Sequence, residues 1–225
     1  MKYLNFTVAN LTFLTKDTTY MNRQKARFLK VTAKSSGSAG MLFRLDNRYH
    51  VYFDKNNFLP LQITKNINQK NIQHVLMIHY DHNLNKATIG DTLCWKIPVD
   101  CYDYFSMLYF LRSQLFNFGD TIRFHLDSEY LISKAEVVVL PETEFIKTPA
   151  GRFSSIKVKI NFTALRDESR PWKTDLLTNR LAAPGSELII WLSDDELRLP
   201  LKISYQRSKI NTHIILESFQ RGSED

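Results

Sequence analysis

The sequence is poor in the residues that break or staple a chain. Seven glycines, seven prolines and two cysteines in 225 residues exclude a collagen-like repeat and a disulfide scaffold, and 44% hydrophobic residues exclude a disordered chain. No run approaches the roughly 18 uncharged apolar residues of a membrane-spanning helix, so no transmembrane segment is expected. The serine-elbow GxSxG, the zinc-protease HExxH, the dinucleotide GxGxxG and the phosphate-cradling GxxxxGKS/T are all missing. Lys and Arg outnumber Asp and Glu by 30 to 23. They are scattered, with no basic run of the roughly 5–8 residues that marks a nucleic-acid patch, so no nucleic-acid partner is expected. The sequence predicts no catalytic residue and no cofactor.

The remaining candidates for chemistry are few. Cys94 and Cys101 lie seven residues apart, which allows a local disulfide or two free buried thiols. His74, His79 and His82 form the sole histidine cluster, but residues five and three apart point to opposite faces of a strand. No metal is expected there. Asp194-Asp195-Glu196 sits between Leu188–Leu192 and Leu197–Leu201, where acidic residues make a hairpin turn rather than an acid–base pair. Met1 is followed at once by the strand-like Lys2–Val8, so no signal peptide is visible; the chain is cytoplasmic or starts at a mature boundary.

What the sequence has in abundance is alternation. Leu4, Phe6 and Val8 alternate with polar neighbours, and Arg27–Ala33 continues the pattern. Ser35–Gly40 reads as a loop. Tyr49–Phe53 turns through Asp54–Asn57 into Phe58–Thr64, and Val75–Tyr80 turns through Asp81–Asn83 into Lys86–Ile89, giving two hairpins. Further strands are predicted at Thr121–Leu126, Ala135–Leu140, Ser155–Phe162, Glu187–Ser193, Leu197–Tyr205 and Thr212–Ser218, with Leu165–Thr174 a long polar loop.

One segment breaks the rhythm. Asp103 is a candidate N-cap, Leu108, Leu111 and Leu115 recur at helical spacing, and Gly119 is a stop, which predicts a helix over about 103–118. Tyr104, Phe105, Met107, Tyr109 and Phe110 make it apolar nearly all round, so other structure must enclose it. Arg112 stands inside this helix. A buried guanidinium needs a carboxylate, carbonyls or an anionic ligand head as its partner.

Asp103–Arg112, Thr148-Pro149-Ala150-Gly151-Arg152-Phe153, and Ile190–Asp195 with Arg198-Leu199-Pro200, taken in order with Phe58-Leu59-Pro60, resemble the bacterial exported family called domain of unknown function 3108. The resemblance spans about Leu4 to Glu217. It implies a cell-envelope β protein, exported by a signal peptide, with no defined activity and no catalytic residues to carry over. A periplasmic or envelope location is thus expected from the resemblance.

The expected architecture is one β-rich domain over 1–225, mostly β: a curved antiparallel sheet or incomplete barrel enclosing one central apolar helix. Such a sheet leaves an apolar crevice, which suits a non-catalytic envelope protein that binds a lipid-like or amphipathic ligand. Phe105 and Leu108 are the expected lining and Arg112 the head-group anchor. The alternative is an assembly protein with a filled core that binds an envelope protein partner through a sheet edge. A third reading, an envelope hydrolase, needs Asp194, Asp195 or His125 to converge in a cleft.

Overall fold

A computed structural model describes residues 2–3, 6–7, 9–21, 24–36, 44–69, 71–165, 169–170, 172–175, 177–178, 185–207 and 210–222. Parity organises it. In Pro60–Gln69, residues Leu61, Ile63, Lys65, Ile67 and Gln69 are buried while Gln62, Thr64, Asn66 and Asn68 are not. In Asp46–Asp54, Asn47, Tyr49, Val51 and Phe53 face inward in the same way. Successive side chains on a strand point to opposite faces, so each of these two strands buries one row and leaves the other nearer to water.

The strands in chain order are β1 (Lys2–Tyr3), β2 (Phe6–Thr7), β3 (Ala9–Tyr20), β4 (Gln24–Ser35), β5 (Asp46–Asp54), β6 (Pro60–Gln69), β7 (Ile72–Asp81), β8 (Lys86–Ile89), β9 (Leu93–Lys96) and β10 (Cys101–Tyr102). The helix α1 (Tyr104–Arg112) follows, and then β11 (Thr121–Ser128), β12 (Leu131–Val139), β13 (Glu144–Thr148), β14 (Gly151–Ala164), β15 (Glu187–Ser193), β16 (Pro200–Arg207) and β17 (Ile210–Ile215). The chain is mostly β, but it forms two sheets where one was expected. The first is a seven-stranded meander, β3 to β9 in sequence order. The second has ten strands, ordered β10-β11-β12-β14-β15-β16-β17-β1-β2, with β13 on β14. All its pairs are antiparallel except β10 with β11.

The expected hairpins at Asp54–Asn57, Asp81–Asn83 and Asp194–Glu196 form as β5–β6, β7–β8 and β15–β16. At the last, Asp195 accepts from Leu197 N at 2.9 Å and Ser193 Oγ at 2.7 Å, and Asp194 pairs with Arg198. The expected loop at Ser35–Gly40 lies largely outside the described residues, as do Leu4 and Val8 of the first expected strand.

Helix α1 sits between the sheets. Asp103 caps it, accepting from Phe105 N at 2.7 Å and Ser106 N at 3.2 Å, while Ser106 Oγ accepts from Asp103 N at 3.0 Å. Phe105 packs on Tyr49 and Tyr109 on Phe53, both from β5; Phe110 stacks on Tyr102 of β10 and meets Phe124 of β11 edge-on. One apolar cluster therefore draws on both sheets and the helix.

The helix stops at Arg112, six residues short of the expected end. The Ser113 hydroxyl and the Gln114 amide both donate to Phe110 O, at 2.7 and 3.2 Å, and use up a terminal carbonyl. Leu115 is 89% exposed, so another turn would have no core to pack against. Helical spacing alone overstated the segment.

Candidate functional site

The inward parity of β6 carries a charge into the core. Lys65 is wholly buried, and two carboxylates, Glu129 and Asp175, are buried with it. Lys65 Nζ lies 2.5 Å from Asp175 Oδ2 and also pairs with Glu129 Oε1. It donates to Thr178 Oγ1 at 2.7 Å and Thr174 Oγ1 at 3.3 Å. The rings of Tyr49 and Tyr104 lie 5.6 and 6.0 Å from the ammonium. A buried charge survives only when paired and hydrogen-bonded, and this one is both.

Each carboxylate is held differently. Asp175 Oδ1 accepts from Tyr49 OH, Leu177 N and Thr178 N, each at 2.9 Å, and Oδ2 accepts from Thr178 Oγ1 at 2.6 Å. Glu129 accepts from Thr174 Oγ1 at 2.8 Å and from Trp172 Nε1 at 3.3 Å. Burial alone would lower the Lys65 pKa, but the charges of Asp175 and Glu129 outweigh it and hold the ammonium above its ordinary value. Burial would likewise raise the Asp175 pKa; Lys65 and the Thr178 donors override it and keep that pKa low.

Glu129 reaches this place through a strained turn. Glu129 and Tyr130 join β11 to β12 with φ of 59° and 87°. Two positive φ values in a two-residue hairpin usually call for Asn-Gly, and each side chain held there costs about 1–3 kcal/mol. Interactions of the turn itself offset this. Asp127 Oδ1 accepts from Tyr130 N at 2.8 Å, and Arg170 Nε donates to Ser128 O at 2.7 Å.

Asp127 opens a second pole beside the first. Its Oδ2 accepts from Trp95 Nε1 at 3.3 Å, and the Tyr80 hydroxyl lies beside the same carboxyl. Burial, with Glu129 adding a like charge, pushes its pKa up to about 7 against the pull of those donors. Nearby, Asp103 is buried with its pKa raised by desolvation, and its Oδ2 has no partner among the described residues. The buried Cys101 thiol is also pushed up, by burial first and Asp127 second; it and the exposed Cys94 are both free. Such a thiol is a poor nucleophile.

Trp95 and Tyr130, both hydrogen-bonded to Asp127, face a crevice of about 630 Å³ where β9 approaches the β11–β12 turn. Ile97, Pro98, Leu131 and Ile132 complete most of its wall, and Lys96 stands at it. The Trp95 ring meets Tyr130 edge-on at 5.7 Å, and Tyr130 meets Trp172 at 6.3 Å. This aromatic row joins the crevice to the lysine site.

The expected ligand residues are placed elsewhere. Phe105 and Leu108 are buried in the core, and neither lines this crevice. The Arg112 guanidinium donates to Leu197 O at 3.0 Å and Arg198 O at 3.1 Å and lies 4.9 Å from the Tyr109 ring. It fastens the end of the helix to the β15–β16 turn. Of the other candidates, His79 faces Tyr20 OH, His82 meets Pro60 O, and His125 pairs with Asp100. Asp194 and Asp195 serve their own turn. What sequence reasoning missed is the lysine site. Lys65 was visible as the polar member of the Leu61-Ile63-Lys65-Ile67 row, whereas Asp175 follows a loop that has no period.

The model of a family described as a protein of unknown function, DUF3108, matches residues 1–213. The chain belongs to this family. No curated protein matches the sequence significantly. A crystal structure of a DUF1089 family protein from Pseudomonas aeruginosa aligns over 93% of this chain and 92% of its own, at 9% identity and a TM-score of 0.38.

Proposed function

We propose that this chain is a non-catalytic cell-envelope protein that holds a lipid-like or amphipathic ligand at the seam between its two sheets. The carrying observation is the crevice walled by Trp95, Ile97, Pro98, Tyr130, Leu131 and Ile132. An apolar cleft with few polar groups is the usual form of a small-ligand site. The two sheets curve about α1 as an incomplete barrel, and the crevice is the gap left where they do not close. Lys96 suits an anionic head at the rim. The envelope location rests on the resemblance to exported family members.

Native mass spectrometry of the purified chain, before and after denaturing extraction, tests this. A bound lipid should be present in the starting protein and in Arg112→Ala, whose altered residue lies outside the crevice. It should fall at least tenfold in occupancy in Leu131→Asp, which puts a charge on a half-buried wall position. A clean apo mass in the unaltered chain sinks the proposal.

One observation favours a protein partner instead. Strand β3 is 12 residues long, ends the seven-stranded order, and leaves Phe13 and Leu14 at 39% and 59% exposure. A long edge of this kind is a template for strand addition. Under that reading, light scattering shows self-association or a stable complex, and Leu14→Lys weakens it at least tenfold. A strictly monomeric, partnerless chain removes it.

A further inference from the structure

We propose that Lys65 and Asp175 condense to form an intramolecular amide bond, with Glu129 moving the protons. Geometry supplies each part of the reaction. The nucleophile, Lys65 Nζ, is 2.5 Å from Asp175 Oδ2, with no exposed surface on either side chain. Fixed reactants of this kind reach effective concentrations on the order of 10⁵ M or more, which turns an unfavourable encounter in water into a local step.

The two oxygens of Asp175 have separate roles. Oδ1 is ringed by Tyr49 OH and the backbone N–H groups of Leu177 and Thr178, all at 2.9 Å. Three donors on one oxygen are what a tetrahedral oxyanion requires. Oδ2 faces Lys65 and Thr178 Oγ1, the side from which protons arrive. Glu129 touches the ammonium and both threonine hydroxyls, so it is placed as the base. It accepts no described backbone N–H at its carboxyl, which is why Asp175 and not Glu129 is the electrophile.

The step balances without an external reagent. Lys65 begins as an ammonium and Asp175 as a carboxylate. Glu129 takes a proton from nitrogen and passes it through Thr178 Oγ1 to Oδ2, so a neutral amine faces a neutral carboxyl. The lone pair adds to Asp175 Cγ, negative charge gathers on Oδ1, and a second nitrogen proton follows the same path to Oδ2. The C–Oδ2 bond breaks, the C–N bond remains, and one water departs. Glu129 ends as it began. A buried ion pair has become a neutral amide, which removes the desolvation cost of two charges and leaves the Glu129 carboxylate to its Thr174, Thr178 and Trp172 donors.

The experiment is the denatured mass and peptide map of the full chain. The expected result is a mass one water below the sequence value, with fragmentation placing the deficit on a branched peptide that joins the segments holding Lys65 and Asp175. Trypsin should fail to cut after Lys65. Glu129→Gln and Lys65→Arg, checked for native circular dichroism, should show full mass. Asp175→Asn should lose ammonia instead of water and converge on the mass of the cross-linked original. An unaltered chain at full mass that is cut after Lys65 overturns the proposal, as does a deficit mapped to other residues. A Glu129→Gln chain that cross-links as fully as the original overturns the role of Glu129. None of these readouts depends on a ligand in the crevice.

Discussion

Lys65→Met should lower folding stability by about 3–5 kcal/mol, because it strands two buried carboxylates without their counter-charge. Chemical denaturation at neutral pH measures it. The loss comes from what remains, not from what is removed: methionine fills the space of the lysine stem well. Adding Glu129→Gln and Asp175→Asn to the same chain should therefore recover much of the deficit, a coupling that a double-mutant analysis isolates. The single variant should also recover as the pH is lowered, since carboxyls in a dry site can shed their charge by taking a proton. If Lys65→Met costs less than about 1 kcal/mol and stays flat with pH, the lysine is not the keystone of this core.

The second large effect belongs to Asp127 and has the opposite pH sense to an ordinary carboxylate. Its folded pKa is about 7, against an ordinary value of 3.8. The folded chain thus holds a proton that the unfolded chain gives up. The resulting stability is fully present below the unfolded pKa and is lost as pH rises through the folded one. At about 1.4 kcal/mol for each unit of separation, the ceiling is about 4 kcal/mol between pH 4 and pH 7.5. Asp103, also raised, slopes the same way. Asp175, held low for as long as it stays a carboxylate, slopes the other way and only in strong acid. Thermal melts across this range should peak on the mildly acidic side, and Asp127→Asn should flatten the decline. A chain that is most stable above pH 8 contradicts this account.

The parts of the fold that could be read in advance are those governed by a short period. Alternation located most strands, and acidic turn residues located three hairpins. The need of Arg112 for a partner was also legible, but its partner was not, since the carbonyls of Leu197 and Arg198 are supplied by backbone 85 residues away. The end of α1 was misjudged because Leu115 keeps helical spacing after the core has run out. The lysine site was half legible. Lys65 announces itself by parity, whereas Glu129-Tyr130 carries no turn signature and residues 172–178 no pattern. Their positions follow from pairing choices made far along the chain, and a single sequence does not display those.

Strand β1 pairs with β17, so Lys2 and Tyr3 sit opposite His213 and Thr212. The two sheets consequently mature on different clocks. Every strand of the meander has its neighbour close in sequence, and such local pairings form early and fast. The larger sheet must hold a place for its first strand until more than two hundred further residues exist. Shortening the chain before β17 would leave β16 with a bare edge and the β1–β2 pair with no sheet to join. A half-made copy would be a finished meander attached to an open, adhesive sheet, the species a chaperone would be expected to meet.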